Sequence, residues 1–293
     1  MYAGMPLLAN PQVAVFYPPN WLFFLVPKAG MFTLLFAAHI FLGGAGVFFW
    51  LKEKRFPQYA ALGSAMIAAV NGTVWAHLAF GAYLNAMAVF PWLLLFMERN
   101  HKRPGGKNIA GMSVCVFLLL SCGAPQAAYY ILLSVILYEV LRIAFSRESG
   151  KIFIRDAWFA GAVLLGIGLA AVQLLPSFEL IQHTRRAGNL PVEVIRRGSL
   201  SFRGLVESFL GTGRFPQDAG NVAYMGAAGL FLVFAGIWGS FRKRRIRDVI
   251  WAFLFVSLGL KMLSPVYSKI LPGYGGFHDP RRILAFVPVI LAP

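Results

Sequence analysis

The chain has 293 residues, of which 58% are hydrophobic and 13% are charged, and its mean hydropathy is +0.67. Soluble domains carry about a quarter charged residues, so this composition excludes an ordinary soluble protein. The net charge of +16 would suggest nucleic-acid binding in a soluble protein. Here it fits the Lys and Arg residues that collect beside membrane helices on the cytoplasmic side, and we expect no nucleic-acid partner.

Long apolar runs without strand-like alternation predict an all-α, polytopic membrane protein, because backbone polar groups inside a bilayer must be paired within the protein. Eight spans and an incomplete ninth are expected, at about 31–51, 59–75, 84–97, 109–120, 127–141, 157–175, 222–240, 249–263 and after 282. The expected organisation is one transmembrane domain over 1–293, with an outer loop at 1–28, six helices over 29–175, an outer loop with an interfacial helix over 176–221, and further helices over 222–293.

The ends of the chain suggest a fragment. The sequence opens on a loop, and it stops about ten residues into an apolar run that needs about twenty to span a bilayer. We therefore expect truncation at both ends.

The distribution of basic residues predicts the orientation. If the first span ends in the cytoplasm, four connecting segments lie inside, at 52–55, 98–108, 142–156 and 241–248. These segments hold 16 of the 27 Lys and Arg residues beside helix ends, where the positive-inside bias is strongest. The opening stretch, the turn at 123–126, the loop at 176–221 and the connection at 264–279 then face outward, as a cell-membrane protein with an extracytoplasmic functional face.

Two outward segments have unusual sequences. The opening stretch, 4–21, is uncharged and contains four prolines, so it cannot form one continuous helix. The two spans around residues 121–126 share only 34 residues between Lys107 and Arg142, so their turn is expected below the membrane surface and buried in protein. Within the long loop, 192–210 has the composition of an interfacial helix.

Polar residues from distant parts of the chain converge on this outer face, and that convergence is the main functional signal. The candidates are Asn10, Gln12, His77, Gln126, Gln173, Glu179, His183, Arg185, Arg186, Tyr224, His278, Asp279, Arg281 and Arg282. No His, Cys, Asp and Glu spacing typical of a metal site is present.

Each candidate also has a purely structural interpretation. Glu179 would favour a helix N-terminus, and Arg185 with Arg186 would pair with lipid phosphates. Clustered guanidinium groups suit phosphate binding better, because their donors match phosphate oxygens. Asp279 is expected to pair with a neighbouring arginine, while His39 and Gln173 are expected to be packing residues. The two cysteines, Cys115 and Cys122, are too far apart on a helix to form a disulfide.

Nucleotide-binding and hydrolase motifs are missing from the sequence, and the cytoplasmic loops are too short for a nucleotide-binding domain. An enzyme that acts on the outer face needs a donor that is found there. A lipid carrying a phosphate-linked group meets that requirement, and it suits outward arginines beside a carboxylate.

Six motifs resemble the YfhO family of bacterial membrane proteins in order and spacing. They are Gly-Met-Pro-Leu-Leu-Ala-Asn-Pro-Gln at 4–12, Tyr-Pro-Pro-Asn at 17–20, Gly-Ala-Pro-Gln at 123–126, Leu-Ala-Ala-Val-Gln-Leu-Leu-Pro at 169–176 followed by Glu179, Arg185 and Arg186, Tyr-Met-Gly at 224–226, and Phe-His-Asp-Pro-Arg-Arg at 277–282. The resemblance covers nearly the whole chain.

The resemblance implies a GT-C-type glycosyltransferase that takes a sugar from a polyprenyl-phosphate carrier and transfers it to an extracytoplasmic glycan or lipid acceptor. Its implied catalytic acid, a base or a ligand of a divalent metal ion, follows the first helix of the family and would precede Met1. A second departure is His278, where the family tends to have Arg, so this position lacks the permanent positive charge of an arginine near pH 7.

The roles expected on this reading are phosphate binding by Arg185, Arg186 and Arg282, orientation of an acceptor hydroxyl or an arginine by Glu179, and sugar binding by Asn10, Gln12 and Gln126, with His77, Tyr224 and His278 as further substrate contacts. Two alternatives remain open. A transporter or lipid flippase would need ionisable residues near mid-membrane on several spans, and the chain offers few. An inactive fragment that lacks the catalytic acid is the other.

Overall fold

The structure is a computed structural model that describes residues 4, 6–26, 28–78, 81–146, 152–184, 188, 190–211, 223–242 and 246–291. Over these residues the protein is all-helical, without a β-strand, as predicted. The only extended pairing among them is an isolated bridge between Leu200 and Leu260.

The described residues form fifteen α-helices and four short 3-10 helices. The α-helices are α1 (Leu22–Leu25), α2 (Gly30–Glu53), α3 (Gln58–Ala69), α4 (Gly72–Ala76), α5 (Gly81–Lys102), α6 (Gly106–Ser121), α7 (Pro125–Ala144), α8 (Ile152–Leu169), α9 (Ala171–Gln182), α10 (Val192–Arg197), α11 (Phe202–Leu210), α12 (Gly226–Arg242), α13 (Ile246–Ser257), α14 (Ser264–Ile270) and α15 (Val287–Ile290). The 3-10 helices are Pro11–Val13, Pro18–Trp21, Tyr274–Gly276 and Pro280–Phe286.

Three of these helices, α2, α5 and α7, are long and apolar enough to cross a membrane. Helices α8 and α9 form a fourth candidate, in which the two parts meet at a 70° bend. The prediction of a helical membrane protein is therefore confirmed at this level, and the first expected span corresponds closely to α2.

The core is built around α5, the most buried of the three long helices. It packs against α2 and α6 over most of its length, and it also contacts α7, α8 and the 3-10 segment Pro280–Phe286. Pro91 lies inside α5. Proline removes one backbone donor, and membrane helices tolerate it where neighbouring helices enclose the altered turn.

Small residues on α2 permit the close approach of α5. A Cβ at Gly46 would lie 2.9 Å from Pro91 Cβ and 2.9 Å from Trp92 Nε1, and Gly43 lies against the backbone of Ala88. The indole N–H of Trp92 donates to the Leu42 carbonyl at 3.0 Å. Small residues let membrane helices gain close packing and interhelical hydrogen bonds, so this seam fixes α2 on α5.

The prediction of one continuous helix for the second expected span, 59–75, was wrong. The chain breaks into α3 and α4 at Val70 and Asn71, because the Asn71 side chain accepts hydrogen bonds from the backbone N–H groups of Thr73 and Val74. It is an N-cap that competes with continuation of α3. The Asn71 amide also donates to the Ala68 carbonyl at 2.7 Å, which ties the two helices together.

The expected boundary at Pro176 was also wrong. The break occurs earlier, at Ala170, and α9 then continues through Pro176 to Gln182. The interfacial helix expected over 192–210 is two helices, α10 and α11. Between them the carbonyl of His278 occupies the space beside Gly198, and Ser201 caps α11 through a bond from the Gly204 N–H.

The described parts of the four segments expected on the cytoplasmic side lie at one end of the helices, which we call the Lys54 end. Lys54 pairs with Asp248 at 2.9 Å, and Arg99 pairs with Glu53 at 3.3 Å. Glu139 pairs with both His101 and Arg142, which joins the ends of α5 and α7. The described parts of the segments expected outside meet at the opposite end, which we call the Asp279 end and describe below. The contacts thus reproduce the predicted division of the connections into two groups.

We predict opposite effects for two glycine-to-alanine substitutions. Gly46→Ala forces α2 away from Pro91 and Trp92 and should lower the free energy of unfolding by about 1–3 kcal/mol. Gly63→Ala adds a methyl group in open space on α3 and should raise it by up to about 1 kcal/mol, because alanine favours the helix. Thermal unfolding of the purified protein in detergent would measure both; equal effects would contradict the close seam.

Candidate functional site

The Asp279 end is organised by the segment 277–286. Its carboxylate residue, Asp279, is buried and lies just before the 3-10 helix Pro280–Phe286. The side chains of Arg281 and Arg282 donate to its two carboxylate oxygens, at 2.9 Å and 3.2 Å. The predicted pairing of Asp279 with a neighbouring arginine is confirmed. One carboxylate therefore orients two guanidinium groups.

Arg282 joins this segment to α5. Its Nη1 donates to the Tyr83 hydroxyl at 3.4 Å, and its guanidinium carbon lies 5.6 Å from the Tyr83 ring centre. Burial alone would lower the pKa of Arg282, but Tyr83 and Asp279 raise it above its ordinary value, so the group remains charged. About a third of the side chain stays accessible, at 35%. The guanidinium can therefore bind an anion with its remaining N–H groups.

His77 also packs against Tyr83. The two ring centres are 4.9 Å apart, and His77 Nδ1 donates to the Thr73 carbonyl at 2.9 Å. Since a carbonyl only accepts, this bond leaves the proton on Nδ1 and the lone pair on Nε2. Burial lowers the pKa of His77 below its ordinary 6.5, and the positive charge of Arg282 lowers it further. The hydrogen bond to Thr73 raises the pKa but does not outweigh burial.

The turn between α6 and α7 is buried within the Asp279 end. Ser121, Cys122 and Ala124 are buried, as expected for a turn sunk into the protein. Gln126, at the start of α7, donates from Nε2 to the Asp279 carbonyl at 2.7 Å and to the Tyr130 hydroxyl at 3.3 Å. Its amide nitrogen thus holds the 277–282 segment in place.

The opening stretch lies over this turn and along α9. Gln12 and Ala14 border Gly123, whose positive φ of 91° suits a residue without a side chain. On α9, Gln173 donates to the Leu8 carbonyl at 3.0 Å and Ser177 donates to the Ala9 carbonyl at 2.8 Å. The stretch is therefore anchored on the protein from Leu8 to Ala14.

Tyr17 and His39 fasten the end of the opening stretch to α2. The Tyr17 hydroxyl and His39 Nε2 lie 2.8 Å apart, and His39 Nδ1 donates to the Leu35 carbonyl at 2.6 Å. Both nitrogens of His39 are engaged, so it is a packing residue, as expected. Burial raises the pKa of Tyr17. Its hydroxyl therefore keeps its proton and is available as the donor to His39 Nε2.

The structure brings together four of the candidate residues, His77, Gln126, Asp279 and Arg282, and Tyr83 contacts both His77 and Arg282. His278 is exposed on the same segment, beside Gly198. Asn10 and Gln12 lie near the buried turn, where the Asn10 side chain accepts from the Gln12 N–H at 3.1 Å. We call the set His77, Tyr83, Gln126, Asp279 and Arg282 the Arg282 cluster.

Other predicted residues lie apart from the Arg282 cluster. Glu179 is exposed on α9, the helix that anchors the opening stretch, and it makes no ion pair with another described residue. Tyr224 is exposed; its ring packs at Gly211, and its carbonyl accepts from the Gly72 N–H at 2.8 Å. Arg185 and Arg186 lie outside the described residues.

Sequence reasoning missed Tyr83 and the capping role of Asn71. Tyr83 belongs to no motif, and its position near the start of an apolar helix resembles that of an interface anchor. Asn71 followed by Gly72 was a detectable signal, because Asn is a preferred N-cap. Within the part of the chain that the structure describes, no group of three His, Cys, Asp or Glu side chains is placed to hold a metal ion.

Comparisons with known proteins identify no relative. No protein-family model matches the chain, and neither a curated protein nor a solved structure shows significant similarity to it.

Removing the imidazole of His77 should change the pH dependence of stability. Because its folded pKa lies below the unfolded value, the unfolded state takes up the proton first, and wild-type stability falls as the pH drops below 6.5. The stability advantage over His77→Gln should shrink there by up to about 1.4 kcal/mol per pH unit and stay constant above pH 7. Denaturant unfolding from pH 5 to 8 would measure it; a pH-independent difference would contradict the assignment.

Proposed function

We propose that the chain is a multi-pass membrane glycosyltransferase of GT-C-like architecture, related to the YfhO family, with eight to nine spans. The donor is a sugar on a polyprenyl phosphate, and the acceptor is an extracytoplasmic glycan or lipid. The Asp279 end faces outward in this proposal, and the Lys54 end faces the cytoplasm. The membrane-compatible helices and the grouping of basic segments at one end support that arrangement.

The Arg282 guanidinium is the observation that carries the proposal. It is held by a buried carboxylate and a tyrosine hydroxyl, yet remains partly accessible. In sugar transfer the bond between the anomeric carbon and the phosphate oxygen breaks, and the phosphate leaves with additional negative charge. A preorganised cation at that oxygen stabilises the transition state more than the ground state. Arg282 has the charge and the fixed orientation for this role.

The acceptor hydroxyl supplies the oxygen of the new glycosidic bond, and its proton is taken up by the leaving phosphate. Glu179 is assigned to orient the acceptor hydroxyl, because it is an exposed carboxylate on the helix that carries the opening stretch. Asn10 and Gln12, with their amide groups on that stretch, are assigned to sugar hydroxyls. Gln126 acts through the 277–282 segment, since its amide nitrogen is bonded to the Asp279 carbonyl. Arg185, Arg186, His278, His77 and Tyr224 remain assigned to substrate binding.

The transporter alternative has less support from the described contacts. His39, the ionisable residue farthest inside α2, has both ring nitrogens bonded within the protein. Glu139 on α7 is paired with His101 and Arg142 near the Lys54 end. Proton-coupled and ion-coupled transporters use a series of ionisable groups along their helices. His39 and Glu139 are instead bonded to protein partners and do not form such a series.

Loss of the Arg282 charge should abolish most sugar transfer. When the protein is expressed in cells, Arg282→Gln should reduce surface-glycan decoration about 10²-fold, the usual effect of deleting one group that stabilises developing charge. Arg282→Lys should recover part of it, because a cation is restored without the planar donor set. Decoration is measured per molecule of membrane-inserted protein, so that a change in protein level is corrected.

Arg203→Gln provides the matched control. Arg203 is an exposed arginine of α11 that pairs with Glu207 at 2.7 Å. Its substitution by glutamine removes the same positive charge and leaves the Arg282 cluster unchanged. Decoration should remain at the wild-type level. Normal decoration by Arg282→Gln at normal protein level would refute the role assigned to Arg282.

A further inference from the structure

A strongly basic cavity lies at the Lys54 end, between the ends of α2 and α5. Its volume is about 640 Å³. Five cations line it, Lys52, Arg55, Arg99, Lys102 and Arg103, together with a single carboxylate, Glu53. The cavity is thus far more positive than a solvated helix end in which charges alternate.

Ion pairing leaves most of this positive charge uncompensated. Glu53 pairs with Arg99 at 3.3 Å and with Lys102 at 3.2 Å. Lys102 is shared further with Glu98, at 3.8 Å. Lys52, Arg55 and Arg103 are exposed and make no ion pair with another described residue. Three full charges therefore face the cavity without a protein counter-ion among the described residues.

Arg55 occupies a backbone position that usually belongs to glycine. Its φ is +64°, and the N–H groups of Arg55 and Phe56 donate to the carbonyls of Lys52 and Leu51. These are the two bonds of a Schellman helix end, in which the left-handed residue is most often glycine. A left-handed conformation costs a residue with a side chain about 1–2 kcal/mol. What arginine provides at this position and glycine cannot is a guanidinium group exposed at the cavity.

The position of the cavity identifies the source of its ligand. Helices α2 and α5 are both long and apolar enough to cross a membrane, and the cavity opens where they end. Phe49, one turn inside α2, forms an apolar wall and is itself 44% exposed. A charged rim above an exposed aromatic side chain matches a molecule with an anionic head and an apolar tail. A free anion in solution has no apolar part that could pack against this wall.

We propose that this cavity binds the headgroup of an anionic phospholipid of the adjacent membrane leaflet. The phosphate lies among Lys52, Arg55 and Arg103, and the acyl chains descend past Phe49. Basic pockets between membrane helices bind lipid headgroups in this way. The proposal depends on α2 and α5 being membrane helices and not on sugar transfer at the Asp279 end. Along α5, residues 83 and 99 are about 24 Å apart at 1.5 Å per residue, so the two sites are separate.

The test is lipid binding by the purified full chain in a neutral detergent. Native mass spectrometry would give the dissociation constant of the first bound phosphatidylglycerol, with phosphatidylcholine of the same acyl chains as the neutral comparison. Wild type should bind phosphatidylglycerol preferentially. One cation near a lipid phosphate contributes about fivefold to affinity, so Lys52→Gln/Arg103→Gln should weaken phosphatidylglycerol binding about 25-fold and leave phosphatidylcholine unchanged.

The matched control removes two exposed arginines elsewhere. Arg196→Gln/Arg203→Gln carries the same loss of charge, and both residues already pair with glutamates on their own helices. It should bind phosphatidylglycerol as the wild type does. Equal weakening in both double variants would show a general charge effect and overturn the proposal. Competition by soluble glycerol phosphate at equal concentration would assign the cavity to a free anion and overturn the lipid source.

Discussion

The Asp279 end depends on one buried carboxylate and the donors that surround it. Asp279 receives Arg281 and Arg282 on its side chain and Gln126 on its carbonyl. Removing one partner of a buried ion pair costs about 3–5 kcal/mol, because the remaining charge is left without compensation. The segment 277–282 is thereby fixed to α7, and through Arg282 and Tyr83 it is fixed to α5. The accessible part of Arg282 acquires its orientation from these bonds.

Composition and charge were sufficient to predict helices and to sort the connections into two groups. The reason is physical: apolar length and the positions of Lys and Arg are set by the bilayer more than by packing. Breaks within helices were not predictable from hydropathy. Asn71 interrupts an apolar run by capping its own downstream N–H groups, and Pro176 is accommodated inside α9 while the bend falls at Ala170. Both depend on local hydrogen bonds that hydropathy does not report.

The residues of the Arg282 cluster were partly predictable. Polar and charged residues in apolar surroundings singled out His77, Gln126, Asp279 and Arg282 before their contacts were known. Tyr83, which connects Arg282 to His77, carries no signal in the sequence, because its role comes from the approach of two distant segments. The exposed position of Glu179 likewise follows from the course of α9 and could not be read from its neighbours.

The burial of the 121–124 turn gives Cys122 an additional property. Its thiol is completely buried beneath the opening stretch, and burial raises its pKa to about 12. Only a thiolate reacts readily with alkylating or oxidising reagents, so Cys122 is chemically silent while this stretch remains in place. Its reactivity therefore reports conformations in which the buried 121–124 turn becomes accessible. The protein thus carries a native chemical probe for opening movements at the Asp279 end.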